Sequence, residues 1–367
     1  MLLVYLFFAL FFGICLFLLA QLWWRGRQPL PPFPTHWPKV SILVPARNEA
    51  HHIERCLQAL SQLSYPADKL EILIGDDAST DDTAARAEAF IAGRPQFRLV
   101  SVRREIGSAR GKSNVIAHLC REATTDYFLL TDADMALPPD WVQHMLAAAP
   151  EGVGVVTGAT TAVGNLFGRL QGLDWLFGLS VIRLLTDLGL PVTAVGNNML
   201  MTRAAYKSIG GYEALAFQIT EDLQIFECIV RQGWGFRNLF HRHVLGLSTA
   251  QPTLRHLLMQ RKRWMRGTAR LPVHLSGLFA LYGFFYMVIF LPGLLPPATV
   301  ALLFGIKVAL QVGFLAGSLR QVGRRESLGV LLLYEFYLAG MSLLIIGYTL
   351  WPGQIQWKER RYRWAEG

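Results

Sequence analysis

An uninterrupted apolar run opens the chain. Residues 1–24 carry no charge, and about 20 apolar residues are enough for a helix to cross the hydrocarbon core of a membrane. A cleaved signal peptide would need a basic start and a shorter apolar core. This run ends instead in Trp23-Trp24-Arg25, and aromatic residues followed by positive charge are typical of the cytosolic side of a membrane. We therefore predict a retained transmembrane anchor over 1–24, with its N-terminus outside.

Three further apolar stretches lie near the carboxyl end of the chain. They run near residues 271–291, 298–319 and 328–350 and predict about three transmembrane helices over 272–351. A basic loop at 320–325 fits a cytosolic connection. Three crossings would place the basic tail, 352–367, outside, against the charge rule. Either one stretch is re-entrant or the tail is an exception.

Between these apolar regions, short apolar runs alternate with amphipathic stretches. Residues 25–37 are proline-rich and predict a linker, and a domain over 38–271 follows it. The predicted strands are 40–44, 70–74, 97–102 and 127–130, and the predicted helices begin after Asn48 as a cap, at 80–82, and over 112–122. This alternation predicts an α/β fold, a mostly parallel sheet with helices on both faces.

Composition narrows the classes of partner. The hydrophobic fraction is 52% and the charged fraction 17%, which indicates that part of the chain lies in lipid. The formal net charge is +9, but much of the positive charge flanks apolar segments, so we predict membrane contact and no nucleic-acid partner. The four cysteines form no C-x-x-C pair. They predict reduced thiols in a cytosolic domain and disfavour a cysteine-based zinc motif.

Acidic residues follow two of the predicted strands. Asp76 and Asp77 come after the second strand, and Asp132 and Asp134 after the fourth. Ligands of such sheets bind at the carboxyl ends of the strands. Two carboxylates one residue apart can share a Mg²⁺ or Mn²⁺ ion, which also holds a diphosphate. A solvated turn or a helix cap is the alternative for each pair, because an isolated D-x-D is common.

Four more segments carry candidate chemistry. Lys112 either faces a phosphate from the start of a helix or is a surface lysine. Glu221 and Asp222 open a predicted helix, where a carboxylate acts as a general base or as a cap. Residues 195–199 form a glycine and polar patch that would let a substrate approach the backbone. Residues 260–264 are either the basic flank of a membrane helix or an arginine and a tryptophan at a substrate site.

The order and spacing of these motifs are more specific than any one of them. The set comprises Val44-Pro45-Ala46-Arg47-Asn48-Glu49, Asp76-Asp77-Ala78-Ser79, Gly111-Lys112, Thr131-Asp132-Ala133-Asp134, Thr220-Glu221-Asp222 and Gln260-x-x-Arg263-Trp264. Together they resemble the membrane-bound type of family 2 glycosyltransferases, over roughly residues 38–270. The resemblance implies a GT-A fold and a nucleotide-sugar donor, with a UDP-sugar expected.

The resemblance also implies roles for the matched residues. Those expected beside the nucleotide are Pro45, Arg47, Glu49, Asp76, Asp77 and Lys112, with the two acids on the uracil or ribose. Those expected on the metal and diphosphate are Asp132 and Asp134, with Mg²⁺ or Mn²⁺ as cofactor. Those expected to close the donor–acceptor site are Gln260, Arg263 and Trp264. The catalytic group would be Asp222 as the general base of an inverting transfer, with Glu221 beside it and Arg263 stabilising the leaving diphosphate.

The sequence does not decide which molecule accepts the sugar. The same motifs serve polymer synthases and enzymes that glycosylate one lipid. A synthase must pass its product through a membrane channel, and four or so spans are few for that, so we expect a lipid or other membrane-associated acceptor. The stretch 173–190 is either a core helix on the sheet or an interfacial helix that guides a lipid.

A non-enzymatic membrane protein, such as an inactive transporter subunit or scaffold, is the alternative from a different class. Intramembrane charge would favour transport. The apolar segments hold little charge beyond Lys307 and Glu335, which interfacial placement or helix pairing explains. We expect an integral protein of the bacterial inner membrane with its catalytic domain in the cytoplasm.

Overall fold

The computed structural model describes residues 1–25, 30–33, 36–268, 273–350, 355–357 and 360–362. Part of the predicted linker and most of the predicted basic tail lie outside these residues. The strands are β1 Val40–Ala46, β2 Leu70–Asp76, β3 Phe97–Ser101, β4 Tyr127–Thr131, β5 Met135–Ala136, β6 Val153–Thr157, β7 Thr160–Val163, β8 Asn198–Thr202, β9 Gly235–Asn238, β10 Gly246–Thr249, β11 Ile355–Trp357 and β12 Arg360–Tyr362. The helices are α1 Leu2–Arg25, α2 Ile53–Ser61, α3 Thr83–Ile91, α4 Gly111–Glu122, α5 Trp141–Ala147, α6 Leu166–Asp187, α7 Arg203–Ser208, α8 Gly211–Ala214, α9 Glu221–Arg231, α10 Leu254–Thr268, α11 Val273–Ile289, α12 Pro297–Gln321 and α13 Leu328–Leu350.

A seven-stranded sheet forms the centre of the domain, in the order β3-β2-β1-β4-β8-β6-β9. Its pairings are parallel except those of β8, which runs antiparallel to β4 and β6. Ile42 and Leu43 are both fully buried but belong to separate apolar clusters, because successive strand side chains point to opposite faces. Each cluster also includes helical residues, Trp141 of α5 in one and Leu119 of α4 in the other. The predicted mostly parallel sheet with helices on both faces is confirmed.

The predicted Asn48 helix cap is wrong. The N-cap residue of α2 is His52, and its side chain makes no capping hydrogen bond. Asn48 has φ of 51°, and its side-chain oxygen accepts a hydrogen bond from the Thr80 N–H at 2.9 Å. Asparagine tolerates this left-handed backbone because its short polar side chain bonds locally. Asn48 therefore joins the loop after β1 to the loop after β2.

Four apolar helices, α1, α11, α12 and α13, form what we call the apolar bundle. Within the described residues, three stretches are long and apolar enough to cross a membrane: Leu2–Trp24, Pro297–Gln321 and Leu328–Thr349. The apolar part of α11, Leu275–Ile289, is shorter. Of the three predicted carboxyl-terminal spans, two reach spanning length in the structure and the first is this shorter helix.

Helix α6 joins the domain to the apolar bundle. On one side it packs against β7, where the Thr161 hydroxyl donates to the Gly172 carbonyl at 3.1 Å. A Cβ at Gly172 would lie 2.4 Å from the Ala162 carbonyl oxygen, so only glycine permits this approach. On the other side, Leu173 and Leu176 share an apolar cluster with residues of α12 and α13. The packing of α6 on β7 confirms the first alternative predicted for 173–190, a core helix on the sheet, while guidance of a lipid by this helix stays a prediction.

Candidate active site

The ends of β1 and β2 bring the first predicted residues together. The two strands pair in register, with Pro45 opposite Gly75 and Ala46 opposite Asp76. The Arg47 guanidinium donates hydrogen bonds to the carbonyl oxygens of Asp77 and, at 3.3 Å, of Ala78. Parallel strands end at one edge of a sheet, and this edge therefore carries both the Pro45–Arg47 segment and the acid pair.

Asp76 is the more enclosed acid of that pair, with 1% of its side chain exposed. Its Oδ1 accepts a hydrogen bond from the Ser79 N–H at 3.2 Å, which is a local turn contact. Its Oδ2 lies 3.5 Å from Arg103 Nη2. Asp77 is 4% exposed. A separate hydrogen bond, from the Glu49 N–H to the Thr83 hydroxyl at 2.7 Å, joins the loop after β1 to the start of α3. The Oδ1 atom of Asp76 therefore stabilises the turn after β2, as the alternative of a turn predicted.

Lys112 connects two of the predicted motifs. From the first turn of α4, its Nζ lies 2.7 Å from Asp132 Oδ1 and 3.2 Å from Glu221 Oε1. Burial alone would lower the pKa of Lys112, but the carboxylates of Asp132 and Glu221 outweigh burial and raise it. Burial raises the pKa of Glu221, which Lys112 opposes and Asp222 reinforces. Lys112 is therefore a charged member of the site and not a surface lysine.

Asp134 is held by groups from distant parts of the chain. The Ser248 hydroxyl of β10 donates to Asp134 Oδ2 at 2.9 Å. Arg55 of α2 donates from Nη2 to the carbonyl oxygens of Asp134, at 2.5 Å, and of Leu247, at 2.9 Å. Arg55 and Ser248 were not predicted, because no local sequence signal links them to the acid pair.

The acid pair fits a hard divalent cation. Asp132 and Asp134 are partly exposed, whereas Ala133 between them is buried, so the carboxylates share the open side of the segment. Oxygen ligands of this kind suit Mg²⁺ or Mn²⁺, which bind through one or two carboxylates together with phosphate oxygens.

Asp222 is oriented by a backbone donor. Its Oδ2 accepts a hydrogen bond from the Gly196 N–H at 3.1 Å, and its Oδ1 accepts one from the Leu223 N–H at 2.9 Å. A Cβ at Gly196 would lie 2.9 Å from the Cβ of Asp222. Thr220 makes no side-chain capping bond to the helix. Gly196 thus allows the Asp222 carboxylate to approach the backbone of the 195–199 patch, whereas the sequence analysis expected a substrate to approach there.

Arg263 of α10 faces the same pocket as Lys112 and Glu221. The lining residues are Arg110, Lys112, Ser113, Phe217, Gln218, Ile219, Glu221 and Arg263. The structure therefore brings the α4 cation, the α9 carboxylate and the α10 arginine into one pocket.

Trp264 turns from α10 toward α6. Its ring packs edge-on against Trp175, with ring centroids 4.8 Å apart, and the Arg261 guanidinium lies 4.3 Å from its centroid. Arg261 Nη2 is 2.5 Å from Asp174 Oδ2, and the Tyr334 hydroxyl of α13 donates to Asp174 Oδ1 at 3.2 Å. Asp174 and Trp175 were not predicted as site residues. They connect the arginine–tryptophan segment to the apolar bundle.

Gln260 lies on α10 one turn before Trp264 and is half-buried. Pro45 and Glu49 are also half-buried. Their roles toward a nucleotide or acceptor stay predictions.

The fold and the placement of the acids define a glycosyltransferase of the GT-A type. Residues 3–367 match the family model described as Glycosyl transferase family 21, and the chain belongs to this family. The prediction of a GT-A glycosyltransferase is thereby confirmed, while the membrane-bound type and the roles of individual motif residues stay predictions.

Curated relatives agree with this class, and a solved structure shares the fold. Beta-monoglucosyldiacylglycerol synthase of Synechocystis sp. is 28% identical over 237 residues, covering 63% of this chain and 48% of the relative. Cellulose synthase 1 catalytic subunit of Komagataeibacter xylinus is 27% identical over 269 residues, covering 66% of this chain and 32% of the relative. This chain thus spans about half or less of the length of these relatives. The mannosyltransferase PcManGT from Pyrobaculum calidifontis, solved with GDP-Man and Mn²⁺, has a TM-score of 0.53 and 22% identity, covering 95% of both chains, which shows the shared fold.

Proposed function

We propose that this chain is an inverting glycosyltransferase that moves a sugar from a nucleotide-sugar donor to a lipid acceptor. The observation that carries the proposal is the junction at Lys112. It contacts Asp132 at a strand end and Glu221 at a helix start, next to Asp222, and it shares a pocket with Arg263.

The nucleotide half of the site lies at the ends of β1 and β2. Arg47 holds the backbone of the loop that follows β2, which presents Asp77 at the sheet edge for a ribose or base. A UDP-sugar is the expected donor. A purine nucleotide sugar is the alternative donor, because the structure of PcManGT, which shares the fold, contains GDP-Man.

The diphosphate lies, in this proposal, among the carboxylates and cations of the pocket. Mg²⁺ or Mn²⁺ held by Asp132 and Asp134 would neutralise charge on the leaving nucleoside diphosphate. Lys112 and Arg263 supply positive charge to the same oxygens, and fixed charges aimed at a developing anion lower the barrier without reorganisation.

Asp222 acts as the general base. Its carboxylate accepts the proton of the acceptor hydroxyl, whose oxygen attacks the anomeric carbon as the bond to the diphosphate breaks. The nucleoside diphosphate leaves with the electron pair, and the configuration at the sugar inverts. The Gly196 N–H holds Asp222 Oδ2 in place, while Glu221 keeps Lys112 in the pocket.

A lipid acceptor is supported by the link between the pocket and the apolar bundle. Trp264 follows Arg263 directly and packs on Trp175 of α6, and α6 packs on α12 and α13. An acceptor hydroxyl at the membrane surface would therefore meet the pocket along α6. The relative named beta-monoglucosyldiacylglycerol synthase favours this acceptor class, and the cellulose synthase relative favours the polymer alternative.

We further propose that the domain lies on the cytosolic side of the inner membrane. Gln321 Nε2 donates to the Leu22 carbonyl at 3.1 Å, so α1 and α12 end at the same level. Glu326, in the loop after α12, forms an ion pair with Arg169 of α6. The basic loop therefore lies on the side of the domain, and loops rich in positive charge stay in the cytosol.

The test uses the full chain in lipid nanodiscs with radiolabelled UDP-sugars and GDP-mannose. We expect one donor to yield label that extracts into organic solvent, dependent on Mn²⁺ or Mg²⁺ and abolished by a chelator. Label in a long water-soluble product would overturn the lipid acceptor in favour of a polymer. No transfer and no donor hydrolysis from any donor, with native membrane lipids supplied, would overturn the enzymatic proposal.

A further inference from the structure

Asp140, His144 and His243 form a cluster that the proposed reaction does not use. One metal-binding atom from each residue lies within 4.8 Å of the others. Asp140 Oδ2 is 3.4 Å from His144 Nε2 and in direct contact with His243 Nδ1. The two imidazole rings stack with centroids 4.7 Å apart. Two histidines and one carboxylate therefore converge on a single point.

The cluster lies at the opposite end of the β5–β10 pair from Asp134. Strand β10 runs antiparallel to β5, with Ser248 opposite Met135 and Leu247 opposite Ala136. The Ser248 hydroxyl contacts Asp134 at one end of this ladder. Asp140 and His243 lie beyond its other end, on the segments that leave β5 and enter β10. The cluster is therefore separate from the proposed nucleotide metal site.

We propose that Asp140, His144 and His243 bind a zinc ion that fastens the connection between β9 and β10 to the start of α5. Two nitrogen ligands and one oxygen are the donor set that suits Zn²⁺, whereas Mg²⁺ and Ca²⁺ select oxygen ligands alone. Three protein ligands leave a fourth tetrahedral position for water.

The Asp140–His144 pair has the spacing of two ligands on one metal ion, whereas Asp140 and His243 are in direct contact and must separate when an ion binds between them. Around a tetrahedral zinc with bonds of about 2.0–2.2 Å, ligand atoms lie about 3.3 Å apart. The 3.4 Å separation of Asp140 Oδ2 and His144 Nε2 matches this value and is longer than a normal N–H···O hydrogen bond. His144 is 8% exposed, so its ring is held inside the protein with Nε2 facing Asp140.

Of the three residues, His243 is the one we expect to shift when the ion binds. It lies on a short 3₁₀ turn, Arg242–Val244, with 30% of its side chain exposed. Arg242 Nε donates to His243 Nε2 at 3.2 Å, which leaves the ring proton on Nδ1, facing Asp140. Zinc binding displaces that proton to solvent, because a ligating nitrogen must offer its lone pair. A proton-bridged Asp–His pair is thus the metal-free form of the same cluster.

The experiment measures zinc on the full-length protein in detergent. The protein is stripped with EDTA, exposed to Zn²⁺, desalted and assayed for bound metal by elemental analysis. Co²⁺ loaded in place of zinc reports coordination through its visible absorption. The test variants are His243→Ala and Asp140→Asn, both at partly exposed positions. The control variants are His51→Ala, at an exposed histidine in the loop before α2, and Asp134→Asn at the nucleotide site.

We expect one zinc per chain in the wild type, tetrahedral Co²⁺ absorption, and at least about 100-fold weaker zinc binding in both test variants. Both control variants should retain the ion. Absence of bound zinc in the wild type, or retention of the wild-type affinity in both test variants, would overturn the proposal. Loss of zinc in Asp134→Asn would assign the ion to the nucleotide site instead. The readout needs no sugar transfer, so its failure is distinct from failure of the proposed function.

Discussion

Lys112 and Lys307 are both paired with carboxylates, but their surroundings differ. Lys112 has 16% of its side chain exposed and lines an open pocket with Glu221 and Arg263. Lys307 of α12 is 2% exposed and pairs with Glu335 of α13, which is 1% exposed. The first lysine is therefore accessible to an anionic ligand, and the second is enclosed by protein.

The groups around Lys307 form hydrogen bonds with one another. Its Nζ lies 2.8 Å from the Tyr286 hydroxyl and 2.9 Å from Gln311 Oε1, and the Tyr286 hydroxyl donates to Glu335 Oε1 at 2.8 Å. The helix-pairing explanation of Lys307 and Glu335 is confirmed. Comparison with Lys112 shows that access, more than the presence of an ion pair, separates a candidate binding group from a structural cross-link.

The largest expected effect is on stability, from Lys307→Met. This change leaves Glu335 buried without its cation, and breaking a buried ion pair in this way costs about 3–5 kcal/mol. We expect a large fall in the melting temperature of the protein in detergent. The double variant Lys307→Met/Glu335→Leu should recover most of it, because an apolar pair of similar volume replaces a buried ion pair well. An unchanged melting temperature in the single variant would contradict the cross-link.

Lys112→Met should act on catalysis instead. Removing one fixed charge from a leaving-group site costs about 10²–10³-fold in rate, so kcat/KM for the donor should fall by that factor. The melting temperature should fall less than in Lys307→Met, because the side chains of Asp132 and Glu221 are 33% and 13% exposed, whereas that of Glu335 is 1% exposed. Lys207→Met, at an exposed lysine of α7, is the control. Equal kinetics for the two variants would remove Lys112 from the site.

A smaller effect is expected from Gly196→Ala. The added Cβ would lie 2.9 Å from the Asp222 Cβ, so the carboxylate must shift, and a displacement of about 1 Å can cost up to about 100-fold in rate. We expect kcat to fall about 10- to 100-fold with the donor KM unchanged. Gly178→Ala, in α6 with no atom within 4 Å of the added Cβ, should leave both constants near the wild-type values.

The parts of the site near strand ends were predictable from sequence. Asp77 and Asp132 follow apolar strands, and parallel pairing brings their ends to one edge. The resemblance implied Lys112 near the nucleotide, but its contact with Asp132 was not predicted.

Contacts between residues far apart in the chain were not predictable. Arg55 reaches the carbonyl of Asp134, 79 residues away, and Trp175 meets Trp264 only once α6 and α10 pack together. The His144–His243 pair was missed for the same reason, since a search for cysteine-based zinc spacing does not find it. Periodicity and local motifs report neighbours on one element, whereas these contacts depend on how the elements pack.

The proposed chemistry depends most directly on Asp222. The decisive measurement compares Asp222→Asn with Glu227→Gln, a carboxylate on the same helix that lies 3.9 Å from Arg231. Turnover and the donor Kd are measured for both in nanodiscs. We predict that Asp222→Asn lowers transfer by about 10²–10⁴-fold, the usual contribution of a general base, with the donor Kd unchanged, while Glu227→Gln retains both. Near-normal transfer by Asp222→Asn would contradict the proposed base.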